Sequence, residues 1–122
     1  MSLLLPDLSE FQPAADMAGI RRQNGGAAII RAAYGDEHPD KVFARLRAAA
    51  AGFEFLGIYH YIVAGQNIVS QAHAFCDIVG KLRPGEVPII DIEEGDGSQY
   101  SRTMDWASVV AARLSARLDL LR

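Results

Sequence analysis

"FLGIYHYIV", residues 55–63, and "AAIIRAAYG", residues 27–35, are near-continuous apolar and aromatic runs, interrupted by His60 in one and Arg31 in the other. A strand with one wet face alternates apolar and polar residues. A strand apolar on both faces belongs to a sheet covered on both sides, which is typical of parallel pairing. Working outward, "LLLPDLS" (3–9) reads as a short strand with Leu3, Leu5, Asp7 and Ser9 on one face, and "VPIIDIE" (87–93) reads as a fourth strand. Helical segments lie between them. "PAADMAGIRRQ" (13–23) has Pro13 near its first turn and stops at "NGG". A second helix starts at about Asp40, with Val42, Leu46 and Ala49 on one stripe, and ends at Gly52. In "NIVSQAHAFCDIVGKL" (67–82), Ile68, Ala72, Phe75, Val79 and Leu82 recur at helical spacing before Pro84 and Gly85. After the turn-rich "EGDGSQYS" (94–101), a closing helix carries Trp106, Val110, Leu114, Leu118 and Leu121.

The order is therefore βαβαβαβα: an α/β chain with a parallel, (β/α) barrel-like sheet of about four βα units in a single domain spanning residues 1–122. A closed barrel takes about 200 residues or more, so four units correspond to half of one. A half barrel leaves its first and fourth strands as open edges and uncovers the inner face of its sheet. A homodimer that rebuilds an eight-stranded shell is one arrangement that would cover them.

Composition narrows the function classes. Half of the 122 residues are hydrophobic, 22% are charged and the net charge is −3. That balance suits a globular domain and gives no electrostatic footprint for nucleic acid or an anionic membrane. The single cysteine, Cys76, excludes an internal disulfide and is expected to pack within a helix. No apolar run approaches the roughly 20 residues that span a bilayer. The start, "MSLLLPDLSEF", lacks a basic n-region and breaks at Pro6, so no signal peptide is expected. The chain is then cytoplasmic until released. His38 and His73 are expected at the surface, and Glu94 toward solvent.

Chemistry is expected at the carboxyl ends of the strands. There the chain places Asp7, then Arg31 and Tyr34, then Tyr59, His60 and Tyr61, and finally Asp91 and Glu93. In "VPIIDIEEG" (87–95), period two puts Asp91 and Glu93 on one face with Ile89. Two acids that close raise one another's effective pKa, so that one stays protonated. Other readings stand beside this one. Asp7 could cap the following helix or pair with Arg31, Arg31 could be structural, and the tyrosines could fill a barrel. Ser9 and Gln12 suit local loop hydrogen bonds. His60 falls on the face opposite the tyrosines and suits a core histidine. A divalent-metal hydrolase using Asp7, His60, Asp91 and Glu93 is a further alternative, although the chain has neither His-x-His nor His-Glu-x-x-His spacing. No cofactor is implied.

The same segments carry a family resemblance. "DLSEFQ" (7–12) is similar to the Asp-x-Ser-x-x-Gln opening of the family 25 glycoside hydrolases, the muramidase-type lysozymes. "IIRAAYG" (29–35) resembles that family's second strand, and "DKVFARLRAAAAGFEFLGIYHYIV" (40–63) its Asp-x-x-Phe helix and Gly-x-Tyr-His-aromatic strand. "QAHAFCDIVG" (71–80) followed by "PIIDIEEG" (88–95) resembles its helix and Asp-x-Glu strand. The resemblance runs from about Leu4 to Glu94, and nothing after Trp106 matches the C-terminal part of that domain. It implies hydrolysis of the β-1,4 bond between N-acetylmuramic acid and N-acetylglucosamine in peptidoglycan, as in phage or prophage lysins. It further implies Glu93 as general acid, Asp91 as the group that orients or stabilises the substrate N-acetyl, and Asp7 as the third carboxylate. Tyr59, Tyr61, Tyr34 and Arg31 would meet substrate, with no metal. A non-catalytic glycan- or partner-binding module on the same fold is the alternative.

Overall fold

The computed structural model describes residues 5–12, 14–93, 102–114 and 119–121. In chain order the elements are β1 (Asp7–Leu8), α1 (Met17–Asn24), β2 (Ala27–Tyr34), β3 (His38–Pro39) and α2 (Phe43–Ala49). These are followed by β4 (Phe55–Tyr61), α3 (Ile68–Val79), β5 (Glu86–Asp91), α4 (Thr103–Leu114) and β6 (Asp119–Leu121). The sheet order is β1-β2-β4-β5-β6, parallel throughout, with β3 as a short antiparallel addition to β2.

All four helices pack on one face of this sheet. Met17, Phe43, Leu46, Phe75, Trp106 and Val110 meet the strand residues Ala28, Ile30, Leu56, Ile58 and Ile90 in one buried cluster. Ile29, Tyr59 and Ile89 leave the other face and form a separate small cluster, with Tyr61 against it. Helices on one face and a small inner core on the other describe an arc of a (β/α) barrel rather than a doubly wound sheet. Gly57 lets the inner cluster close. A Cβ there would lie 2.6 Å from Ile89 Cδ1 and 3.3 Å from Ile29 Cγ1, so the two isoleucines occupy the space a side chain would take.

Several expectations need correction. The last helix ends at Leu114 and does not continue to Leu121; β6 follows, pairing Ile89 with Asp119 and Asp91 with Leu121. Leu118 lies outside the described residues. The helical spacing of Leu114, Leu118 and Leu121 competes with the free backbone groups along β5, and the sheet edge wins because pairing satisfies both chains. The fourth long strand is therefore interior, and the inner face is not an open apolar surface: Ile29, Tyr59 and Ile89 are 8%, 6% and 5% exposed. Helix α1 begins later than its composition suggests, because the Asp16 carboxylate caps it by accepting from Gly19 N at 2.9 Å. Pro13 lies outside the described residues. On α2 the buried residues are Phe43, Leu46 and Arg47, while Ala49 is exposed. Helix α3 stops at Val79, ahead of Leu82, Pro84 and Gly85. His38 and His73 are exposed and Cys76 is buried in α3, as expected. No helix among the described residues is long and apolar enough to cross a membrane.

Candidate active site

Strand register builds the site as rungs. Asp7, Ile29, Gly57 and Val87 form one rung, and Arg31, Tyr59 and Ile89 the next. Tyr34, Tyr61 and Asp91 form the rung at the carboxyl rim. Arg31 and Tyr34 would face opposite sides of an ideal strand. A register shift between Arg31 and Ala33 adds one residue, which sets both against inner-face partners on β4.

Asp91 is buried and one of its oxygens, Oδ1, has no hydrogen-bond partner. Its carboxyl hydrogen-bonds that of Glu93, which is exposed just past the strand end. Two carboxyl groups share a hydrogen bond only when one carries a proton. Burial first, then the bond to Glu93 and the negative charges of Glu93 and Asp7, push the Asp91 carboxyl up to about 8. Asp91 therefore keeps its proton at neutral pH, buried behind the exposed Glu93 carboxyl.

Asp7 is exposed at the opposite side of the arc and receives the Tyr59 hydroxyl. Burial, then that bond and the Asp7 charge, hold the phenol well above the ordinary tyrosine range, with Arg31 opposing. Tyr59 is thus a fixed donor reaching over the Ile29–Ile89 floor. Tyr61 and Tyr34 are half-buried on the rim.

Arg31 pairs with Glu10 and Asp40 rather than with Asp7. Its Nε donates to Asp40 Oδ2 at 3.0 Å and its terminal nitrogen to Glu10 Oε1 at 3.1 Å. Its guanidinium carbon lies 4.6 Å from the Tyr34 ring centroid and 5.5 Å from that of Phe11. Tyr34 in turn stacks on His38, with centroids 4.8 Å apart and planes at 9°. The reading of Asp7 as a helix cap or as the partner of Arg31 therefore fails: Asp16 does the first, and Glu10 and Asp40 do the second. Ser9 and Gln12 do bond locally, Ser9 N donating to Gln12 Oε1 at 3.0 Å.

His60 occupies the helix side of the sheet, fully buried. It packs edge-on to Phe75, with ring centroids 5.8 Å apart, and against Trp106 at 6.2 Å. Its Nε2 meets Gln71 Oε1 at 3.2 Å. Burial lowers the imidazole to about 4, despite the Gln71 bond. The metal set of Asp7, His60, Asp91 and Glu93 is therefore not assembled, since His60 faces away from the acids.

Glu10 escapes a motif-based reading, and Asp40, the aspartate of the Asp-x-x-Phe segment, and Gln71 are given no role by it. Asp40 looks like a helix start, yet its buried carboxylate gathers Glu10 N, Arg31 Nε and Val42 N, each at 3.0 Å. Gln71 had a visible signal: it is polar on a helical stripe between Ile68 and Phe75. A cavity of about 500 Å³ lined by Arg47, Phe53, Leu56 and Glu86 lies at the amino end of the strands, away from these carboxylates. Its wall includes a buried ion pair, Arg47 Nε donating to Glu86 Oε2 at 2.8 Å, and a structural role suits that end of such a fold.

The family model described as "Glycosyl hydrolases family 25" matches residues 6–119, beyond the Glu94 limit of the visible motifs. Among solved structures, a family 25 glycosyl hydrolase from Bacillus anthracis is similar with a TM-score of 0.83 at 21% identity, over 95% of this chain and 58% of that one. The catalytic domain of endolysin ply40, from bacteriophage P40 of Listeria monocytogenes, gives 0.78 at 22%, over 98% and 63%. A muramidase from Trichobolus zukalii gives 0.74 at 25%, over 95% and 63%. The chain thus spans about three fifths of the length of these solved chains. No curated protein matches.

Proposed function

This chain belongs to glycosyl hydrolase family 25, and on that premise we propose that its strand-end carboxylates hydrolyse the β-1,4 bond between N-acetylmuramic acid and N-acetylglucosamine in peptidoglycan. The observation that carries this reading is the hydrogen-bonded Asp91–Glu93 pair at the carboxyl end of β5, buried at one member and exposed at the other. Glycoside cleavage needs a proton at the leaving oxygen and negative charge beside the oxocarbenium-like centre. Glu93, the exposed member, delivers the proton. The single proton held at Asp91 passes to Glu93 and from Glu93 to the leaving oxygen, leaving Asp91 as a carboxylate. Negative charge therefore appears at Asp91 as positive charge develops on the sugar, which favours the transition state over the ground state. Asp7, held by the Tyr59 hydroxyl, supplies the third carboxylate. Tyr61 and Tyr34 offer ring surface at the rim, and Arg31 supports Tyr34 from behind.

Purified peptidoglycan tests the reading. New muramic-acid reducing ends should appear with the unmutated chain and not with Glu93→Gln. Their absence from a folded, soluble unmutated chain removes the hydrolase reading. The described strands form only one wall of a cleft, and that favours a second reading in which the chain holds glycan without cleaving it. In that case binding survives where cleavage does not. A second copy of the chain along a free sheet edge is the protein partner this reading admits, and a monodisperse monomer in sedimentation removes it. The site of action in this reading is the cell wall, reached after release from the cytoplasm in the manner of a lysin.

A further inference from the structure

We propose that Phe11 is a stacking platform for a pyranose ring, forming a glycan subsite beside the carboxylates; the proposal rests on the reading of the cleft as one that receives peptidoglycan. Phe11 is 76% exposed. A single exposed phenylalanine is ordinary on a protein surface. What sets this one apart is how firmly it is held in that position.

Phe11 N donates to Ser9 Oγ at 3.2 Å, and Gln12 N to Ser9 O at 2.9 Å. Ser9 N donates to Gln12 Oε1 at 3.0 Å, and Glu10 N to the buried Asp40 Oδ2 at 3.0 Å. Every residue from Ser9 to Gln12 is thereby tied down. The Arg31 guanidinium lies over the ring, 5.5 Å from its centroid, and is itself fixed by Glu10 and Asp40. One ring face rests on that cation, and the exposure leaves the other face to solvent.

The occupant follows from this chemistry. The carboxylates of Glu10 and Asp40 already match the Arg31 charge, so the platform is no anion trap. It offers a flat apolar face on a loop backbone that is already held in place. A pyranose presents a face of C–H groups that fits such a ring, and a preorganised aromatic gains more affinity than a mobile one. The position agrees, because Phe11 follows Asp7 by four residues on the loop leaving the carboxyl end of β1. Bound sugar at Phe11 would run onward toward Asp7 along the rim.

The probe is chitotetraose, a peptide-free chain of four N-acetylglucosamine units, titrated by calorimetry or by NMR shifts against the unmutated chain, Phe11→Ala and Phe11→Trp. The expected result is a loss of affinity of fivefold or more in Phe11→Ala and retained affinity in Phe11→Trp. The proposal is overturned if Phe11→Ala binds as the unmutated chain does, if Trp fails to substitute for Phe, or if the unmutated chain does not bind the tetramer. Reducing-end release read on the same proteins separates the two claims. Affinity that depends on Phe11 without cleavage leaves the subsite standing and removes the hydrolase.

Discussion

At the scale of single residues, the chemistry turns on where one proton resides. Asp91 keeps it until pH reaches about 8, because burial and the neighbouring acids disfavour a negative charge there. If the pair is the acid catalyst, kcat should fall on an alkaline limb with an apparent pKa near 8. Asp91→Asn keeps a hydrogen-bond donor toward Glu93 but cannot become a carboxylate as the proton leaves. It should lower kcat by about 10²–10³-fold with KM within a few-fold, measured on peptidoglycan fragments. An unchanged limb in Asp91→Asn would place the titrating group elsewhere. Asp40 makes a different prediction. Its carboxylate has no exposed surface and neutralises Arg31, whose side chain is 11% exposed. Asp40→Ala leaves that cation with Glu10 alone and should cost about 3–5 kcal/mol in urea unfolding. A loss under about 1 kcal/mol would show that Arg31 relaxes into water. The acids themselves were legible in the sequence, since "PIIDIEEG" puts charge where a buried strand has none. The role of Asp40 was not, because its contact with Val42 and the Asp-x-x-Phe pattern read as a helix start, while the partners that matter, Glu10 and Arg31, lie 30 and 9 positions away.

At the scale of elements, β2 and β4 are legible because a strand buried on both faces demands a continuous apolar run, and each chain segment supplies one. The register shift in β2 is not legible. It follows from how Arg31 and Tyr34 both find inner-face neighbours, a tertiary demand with no signature in "IIRAAYG". β6 is missed for a related reason: its three residues are too few to show a period, and the edge of β5 decides the outcome. The junction of β4 and α3 carries the next prediction. Gln71 is fully buried; its Oε1 accepts from Val63 N at 3.0 Å and its Nε2 donates to Val63 O at 3.0 Å. The same oxygen meets His60 Nε2. One side chain therefore satisfies the backbone just past Tyr61 and the imidazole behind it. Gln71→Leu preserves volume and helix propensity yet strands all three groups, so about 3 kcal/mol of stability should be lost. A near-neutral result would mean that water reaches the junction.

At the scale of the whole molecule, two buried titrating groups on opposite faces of one sheet set opposing pH dependences. For Asp91 the folded carboxyl is raised from 3.8 to about 8. The folded state then binds more protons than the unfolded state between those values, so stability falls as pH rises through that window. For His60 the folded imidazole is lowered from 6.5 to about 4. Between those values the unfolded state binds more protons, so stability rises with pH there and is lost on acidification. From about pH 4 to 6.5 the two slopes oppose, and the melting temperature should change little. Between pH 6.5 and about 8 His60 is neutral in both states and only Asp91 acts. The melting temperature should drop by about 5 °C across that window. Scanning calorimetry at about pH 4, 6.5 and 8 reads both windows on one sample. Asp91→Asn should flatten the upper window, because the amide keeps the neutral shape at every pH. It should also leave the His60 slope unopposed in the lower one, where the melting temperature should then rise with pH. A melting temperature that climbs across the upper window in the unmutated chain would contradict a proton held between Asp91 and Glu93. The acid-pair mechanism built on that proton would then fail with it.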